Sequence, residues 1–267
     1  QEESMEAVRQ LAAAKHEGQT LIVAGCMTQL YGRQVKEESP AIDHVFGVGQ
    51  WQEVARLLSV DVDAIFDIPE SNVRVAGPSA YLKISDGCDA PCTFCVIPRI
   101  KGGLRSAPAP LLIREAQRLA AAGAKELVLV GQDTTAWGED QGRPVGSGLP
   151  GLLGSLAEAV GPDVWLRLMY AYPSRLSPAL IEAMATIPNV IPYLDVPLQH
   201  GSEAVLRRMK RPHNVDRVLR SIEDLRRAVP GIVLRTSFIA GFPGETEAEF
   251  KELLDFARTI EFDHAGC

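Results

Sequence analysis

The chain has 267 residues, 46% of them hydrophobic and 23% charged, a balance that excludes a disordered, collagenous or fibrous protein. Its 27 basic and 34 acidic side chains leave a formal charge of -7. That argues against a dominant nucleic-acid interface, where a basic excess is expected, and suits a small-molecule enzyme or one whose macromolecular partner is basic. One or two domains are expected at about 150 residues each, and a chain this size buries roughly 70–75% of its unfolded surface without disulfide staples.

The sequence opens at Gln1 inside a polar helical pattern rather than with Met, which predicts a piece of something longer. Leu21–Gly25 reads as a strand, a polar helical stretch follows, Val45–Val48 reads as a second strand, and a helix is expected from about Gln50 to Leu58. Around Pro69 to Pro78 the helical period is lost and Asn72, Gly77 and Pro78 accumulate, so a linker is placed there. This divides the chain into residues 1–76 and 77–267.

The second block alternates strands and helices, the pattern of a parallel α/β fold. Its predicted strands are Tyr81–Ser85, Glu126–Val130, Val164–Met169, Tyr193–Val196, Ile232–Ile239 and a last one starting near Phe262. Leu112, Ala116, Leu119 and Ala120 share one helical face, with Gly123 as the stop. Phe250, Leu253, Leu254 and Ala257 form another stripe, started by a capping box of Thr246 and Glu249. Six strands with five intervening helices predict a partial (β/α)6 barrel, open on one side, with its chemistry at the C-terminal ends of the strands. No stretch approaches the ~18 apolar residues of a membrane span, and no signal peptide is recognisable.

Cysteine usage points to chemistry. There are five cysteines, three of them within eight residues, which fits a reducing compartment, the cytoplasm by default, and not a disulfide framework. Cys88, Cys92 and Cys95 form C-x3-C-x2-C directly after the first barrel strand. Thiolates so close together converge on one centre and are soft ligands for zinc or iron–sulfur clusters. A 4Fe–4S cubane held by three cysteines keeps one iron open to bind and polarise a substrate. The competing reading is a zinc knuckle completed by His200 or His44, although no second cysteine pair is present to complete the usual zinc pattern. Gly87 and Pro91 suit a backbone that wraps closely around a cluster.

This loop resembles that of the radical S-adenosylmethionine enzymes. Tyr81-Leu-Lys-Ile-Ser-Asp-Gly-Cys88, Val196-Pro-Leu-Gln-His-Gly-Ser202 and Gly241-Phe-Pro-Gly-Glu-Thr246 are similar to motifs of their methylthiotransferase group. Gly131-Gln-Asp-Thr-Thr-Ala-Trp-Gly138 and Tyr193-Leu-Asp-Val-Pro197 resemble the branch that modifies an aspartate of a small-subunit ribosomal protein. The branch that modifies tRNA adenosine usually has Asn where Asp133 stands.

The resemblance implies S-adenosylmethionine chelated at the open iron, an external electron donor, and a 5′-deoxyadenosyl radical that takes hydrogen from the target β-carbon. It also implies that residues 1–76 are the C-terminal part of a truncated Rossmann-like α/β domain. In that domain Cys26 matches the last of three ligands to a second 4Fe–4S cluster; the bland alternative is a buried small hydrophobe at a strand end. A C-terminal TRAM domain, which helps bind the macromolecular substrate, lies beyond Cys267. A ribosomal-protein substrate is expected, with no membrane association and no direct RNA binding by this piece. The alternatives are a tRNA adenosine substrate or a non-catalytic zinc- or cluster-binding module.

The resemblance puts Gln132 and Asp133 where relatives hold the amino group of S-adenosylmethionine; otherwise they merely cap a helix. Gln199 and Arg235 lie near the ends of the fourth and fifth strands. Arg235 either meets the cofactor carboxylate or pairs with Asp195 or Glu126 within the barrel. Gly241 and Gly244 allow close approach of adenine, make a tight turn, or both. The basic run Arg207, Arg208, Lys210, Arg211, Arg217, Arg220, Arg226 and Arg227 is interleaved with acids and reads as a solvated helix face. Trp137 either packs on substrate or caps the barrel mouth.

Overall fold

A computed structural model describes residues 2–60, 75 and 77–267. They fall into two compact units, one of residues 1–72 with 96–102 and one of 73–95 with 103–267. Most of the linker placed around Pro69–Pro78 lies outside the described residues.

In the first unit, strands β1 (Ile22–Ala24) and β2 (His44–Phe46) pair in parallel, with Ile22 opposite His44. The helix Cys26–Glu38 connects them, giving the βαβ unit that the pattern anticipated. Met5 and Val8 of the helix Glu2–Ala13 close a small core with Val35 and Ile42. The Thr28 hydroxyl donates to the carbonyls of Gly25 and Phe46, tying the start of the connecting helix to the end of β2.

The second unit begins with β3 (Ser79–Lys83) and a short antiparallel pair, β4 (Ser85–Asp86) with β5 (Arg105–Ser106). β6 (Glu126–Val130), β7 (Trp165–Leu168), β8 (Val190–Asp195), β9 (Val233–Ser237) and β10 (His264–Gly266) follow. β3 and β6–β10 make one sheet in the order β10-β9-β8-β7-β6-β3, parallel throughout. Each strand therefore pairs with the next in sequence, and β3 and β10 form the two edges of a partial (β/α)6 barrel. Helices Ala109–Ala121, Gly148–Val160, Pro178–Thr186, Val215–Ala228 and Glu247–Ile260 make the crossovers, as parallel connections require.

Burial alternates along β3, β7 and β9 because successive side chains point to opposite faces, whereas β6 buries Leu127, Val128 and Leu129 in a row. Leu127, Leu129, Leu166, Leu168, Leu194 and Leu234 are sealed in the main core with Leu112, Ala116 and Leu119. Gly123 follows the Ala109–Ala121 helix at φ 104°, a left-handed stop open to glycine without strain. The capping box of Thr246 and Glu249 is present in full.

Three details differ from expectation. The Glu247–Ile260 helix buries Leu253, Phe256 and Ile260, and Leu254 is exposed. The stripe is rotated because Gly201, where an added Cβ would stand 2.4 Å from that of Phe256, lets the Phe256 ring come in. β8 starts at Val190, ahead of Tyr193, and runs through Pro192. There the register against β7 shifts between Leu166 and Leu168, an irregularity that spares proline a ladder hydrogen bond it cannot donate. β10 starts at His264, just beyond Asp263, whose carboxylate accepts from the Leu234 amide at 2.8 Å.

Candidate functional site

Parallel strands bring the segments that follow their C-terminal ends to one edge of the sheet. Five such segments matter: the cysteine loop, Gln132–Thr135 after β6, Met169–Arg175 after β7, Val196–Arg211 after β8, and Phe238–Glu245 after β9.

Gly87 turns the chain into the cysteine loop at φ 72°. Inside the loop the Ala90 amide donates to Cys88 Sγ at 3.4 Å, and the Cys95 amide to the Cys92 carbonyl at 3.1 Å. Thr93 fastens the loop to the segment after β8 by two bonds, amide to Met209 carbonyl and hydroxyl to Arg208 carbonyl, both 3.1 Å. All three thiols are free and partly buried. Burial pushes the Cys88 thiol up, the Ala90 amide opposes this, and the charges of Asp133, Cys92 and Cys95 push it further. A cation at the loop reverses that balance, because thiolates bind metal deprotonated.

The donor set fits an iron–sulfur cluster: three soft thiols, electrostatically coupled, on one fastened loop. Among the described residues no three His, Cys, Asp or Glu side chains gather tightly enough for a single ion, whereas a cubane takes its ligands at separate corners. The histidines considered for zinc are engaged elsewhere. His200 accepts from the Ser202 amide at Nδ1 and faces Glu245 at 3.6 Å through Nε2. His44 lies in the first unit, stacked on Phe46.

Asp133 is 3% exposed. One carboxylate oxygen accepts from the Thr135 hydroxyl and the other from Arg175 Nη1 at 3.1 Å. Arg175 also makes a two-pronged pair with Glu139, at 2.6 and 2.8 Å. Burial pushes the Asp133 carboxyl up, opposed by Thr135 and Arg175. Its neighbour Gln132 differs: Oε1 is buried and has no hydrogen-bond partner, the kind of orphaned acceptor an ammonium satisfies.

Arg235 pairs with Asp195 at 3.3 Å, the intra-barrel alternative, while Glu126 is taken by Arg167 at 2.7 Å. Gln199 sits at φ 73°, where non-glycine residues are strained. It is held by its amide to Ser237 and by its carbonyl accepting from Ile239. Gly241 and Gly244, at φ 75° and 78°, make the turn that the Phe242 carbonyl closes with the Glu245 amide.

Other expectations are corrected. Cys26 is exposed at the first position of its helix, so it is not the buried hydrophobe of the bland reading. It lies in the first unit, whereas Cys88, Cys92 and Cys95 lie in the second. Trp137 is buried in the core and donates to the Ala107 carbonyl at 3.0 Å; it is neither a cap nor a substrate platform. Arg207, Arg208 and Arg227 pair with acids, as a solvated face should, but Arg211 is buried beside Cys92. Arg175, Glu139 and Tyr172 also shape the site. Nothing in their local sequence marked them, because their partners are distant in the chain.

Of the curated relatives, the chain is 42% identical to the ribosomal protein uS12 methylthiotransferase RimO of Sorangium cellulosum, across 99% of this chain and 57% of that protein. It is 45% identical to the RimO of Moorella thermoacetica, across 100% of this chain and 63% of the relative. The chain thus spans about three-fifths of the length of these relatives. Among solved structures it resembles the radical S-adenosylmethionine methyltransferase TsrM of Kitasatospora setae, with cobalamin and a [4Fe-4S] cluster bound. The TM-score is 0.70 at 14% identity, over 98% of this chain and 58% of that one. The cobalamin-dependent S-adenosylmethionine radical enzyme OxsB gives 0.71 at 14% identity, over 96% and 42%. At such identities the likeness concerns the fold. The family model of the Radical SAM superfamily matches residues 82–257, spanning the cysteine loop, four crossover helices and most of the fifth, and the chain belongs to that superfamily.

Proposed function

We propose that the chain is the barrel portion, with part of the preceding domain, of a radical S-adenosylmethionine methylthiotransferase that modifies an aspartate β-carbon in ribosomal protein uS12. The observation that carries this reading is the whole-chain likeness to uS12 methylthiotransferases, 42% and 45% identical, joined to three thiols at the functional edge of a parallel barrel.

Cys88, Cys92 and Cys95 would hold a 4Fe–4S cluster. Once bound, the cluster and S-adenosylmethionine together supply a 5′-deoxyadenosyl radical for hydrogen abstraction. The chain's own part is to orient and exclude. Gln132 Oε1, buried without a partner, would accept from the cofactor ammonium, with its neighbour Asp133 fixed by Arg175 and Thr135. Arg235 is 42% exposed in its pair with Asp195 and has donors left for a carboxylate. Gln199 holds the strand end beside it, and the Gly241–Gly244 turn lets a planar base approach.

Cys26 serves a second cluster in the longer protein, where a TRAM domain adds substrate contacts, and an external low-potential donor supplies the electron. The reading puts the enzyme in the cytoplasm with its ribosomal substrate; no described helix is long and apolar enough to cross a membrane.

The test is anaerobic reconstitution with iron and sulfide, followed by EPR of the reduced protein with and without S-adenosylmethionine. A 4Fe–4S signal that shifts on adding S-adenosylmethionine and is lost in Cys92→Ala is expected; zinc uptake, or a signal indifferent to S-adenosylmethionine, sinks the reading. Assaying the full-length protein on uS12 and on tRNA then decides the substrate.

A further inference from the structure

Arg211 is 8% exposed and, among the described residues, has no carboxylate partner. Lys210, at φ 52°, turns the chain back after the helix Glu203–Arg208. The Arg211 amide then bonds the Leu206 carbonyl at 2.9 Å, and the side chain is directed at the cysteine loop. Nη2 donates to the Pro197 carbonyl at 2.6 Å, and Nη1 stands 3.8 Å from Cys92 Sγ. The guanidinium lies 4.2 Å from the centroid of the Tyr172 ring. Tyr172 is itself pinned through its amide to the Thr135 hydroxyl at 3.0 Å, and burial, with the nearby Cys92 sulfur adding to it, pushes its phenol up. Nε of Arg211 is buried with no partner.

A buried cation without an anion is costly. The group best placed to compensate Arg211 is the sulfur of Cys92, which becomes a thiolate on binding iron. Cys88 receives a bond from its own loop, donated by the Ala90 amide. The environment of the three ligands is therefore asymmetric.

We propose that Arg211 and Tyr172 are positioning residues that donate to the Cys92 ligand and raise the reduction potential of the cluster. The inference rests on the cluster assignment made above. Reduction adds one electron to the cluster, taken from an external low-potential one-electron reductant. The added negative charge is stabilised by the guanidinium, which already points at the ligand sulfur, and by the phenol hydroxyl of Tyr172. Hydrogen bonds to sulfur and net charge are two of the quantities that set such potentials.

The experiment is an EPR-monitored redox titration of the reconstituted 267-residue chain with titanium(III) citrate and mediators. Wild type is compared with Arg211→Met, Arg211→Lys and Tyr172→Phe, with iron content measured for each. Arg211→Met is expected to disfavour reduction about tenfold, or about 59 mV toward negative for one electron. Arg211→Lys keeps the charge and recovers part of the shift. Tyr172→Phe, a near-isosteric change that keeps the ring under the guanidinium, moves the potential the same way by less, and it retains the test should Arg211→Met not fold. Clusters bound in every variant at the wild-type potential overturn the proposal and leave the cluster assignment intact. A wild-type chain that takes up no iron–sulfur cluster, or a Cys92→Ala variant with an unaltered one, overturns the assignment and the proposal with it.

Discussion

One face of the six-stranded sheet is sealed by helices, and its leucines at positions 127, 129, 166, 168, 194 and 234 are all 0% or 1% exposed. The opposite face carries Ser79, Glu126, Arg167, Tyr193, Asp195 and Arg235 on the same strands, joined by a hydrogen bond from the Ser79 hydroxyl to Glu126, by the pairs Arg167–Glu126 and Arg235–Asp195, and by Arg167 lying 4.5 Å from the centre of the Tyr193 ring. It also leaves Tyr81 77% and Trp165 55% exposed. The two faces share a backbone and differ only in which residues of each strand they display. Parallel strands covered on both sides read as continuous apolar runs; β6 does so from Leu127 to Val130, whereas β3, β7 and β9 alternate. The alternation assigns stability to one face and polar recognition to the other, so substitutions on the two should fail in different ways.

The largest loss of stability is expected on the sealed face. Leu166→Ala removes a side chain with 0% exposure and should destabilise by about 2–5 kcal/mol through lost transfer energy and a residual cavity. Urea unfolding followed by circular dichroism measures this, and a value near zero would mean the face is less tightly filled than the burial shows.

Next comes the rim. Arg175→Ala leaves Asp133 buried without its cation, and a loss of about 3 kcal/mol is expected. This loss should depend on pH. Burial, partly opposed by Thr135 and Arg175, raises the Asp133 carboxyl, so its contribution to stability is present below the unfolded value near 4 and is lost as pH rises through the folded value. Removing Arg175 raises the folded value further. Glu139 adds to the same trend: burial raises it, but Arg175 and the Gly146 amide outweigh burial and hold it low. Its stabilisation is present above the unfolded value, falls away in acid, and depends on Arg175. The deficit of the variant should therefore be largest near pH 7 and shrink toward pH 4; a deficit constant across that window contradicts the ionic origin.

The smallest effect is expected from Arg235→Ala, whose arginine is 42% exposed in its pair with Asp195. Solvent screening of the arginine, and the Tyr170 amide that still bonds the buried Asp195 carboxylate, limit the stability change to about 1 kcal/mol. Binding of S-adenosylmethionine to the reconstituted protein should nevertheless weaken measurably. Such a split, a slight change in melting with a clear change in affinity, is what separates a recognition face from a structural one. Unchanged affinity would return Arg235 to the ordinary ion pair.

Much of the barrel was legible before its geometry was known, because short strands and amphipathic helices write their periods locally. Glu126–Val130 matches β6 residue for residue, and the box of Thr246 and Glu249 needs only four consecutive positions to be recognised. Where a neighbour far along the chain decides, the period misleads. Leu254 fits the stripe but is exposed, since Phe256 is the residue that finds the space left by Gly201. The same holds at the site: the cysteine loop announces itself by spacing, whereas Arg211 hides among seven other basic residues until the fold carries it to Cys92. Arg175 gave no local signal, because its carboxylate partners lie 42 and 36 positions away.

The two bonds from Thr93 to Arg208 and Met209 have a consequence for assembly during synthesis. The hydroxyl bond spans 115 positions and the contact of Arg211 with Cys92 spans 119. A ribosome working at about 5–20 residues per second finishes the cysteine loop several seconds before it makes the segment that clamps it. The nascent thiols pass that interval with their fastenings unmade, since contacts of such high sequence separation form only after their second half exists. The final shape of the loop is thus a late event in the life of the chain, reached only once the fourth barrel strand and the turn beyond it have emerged.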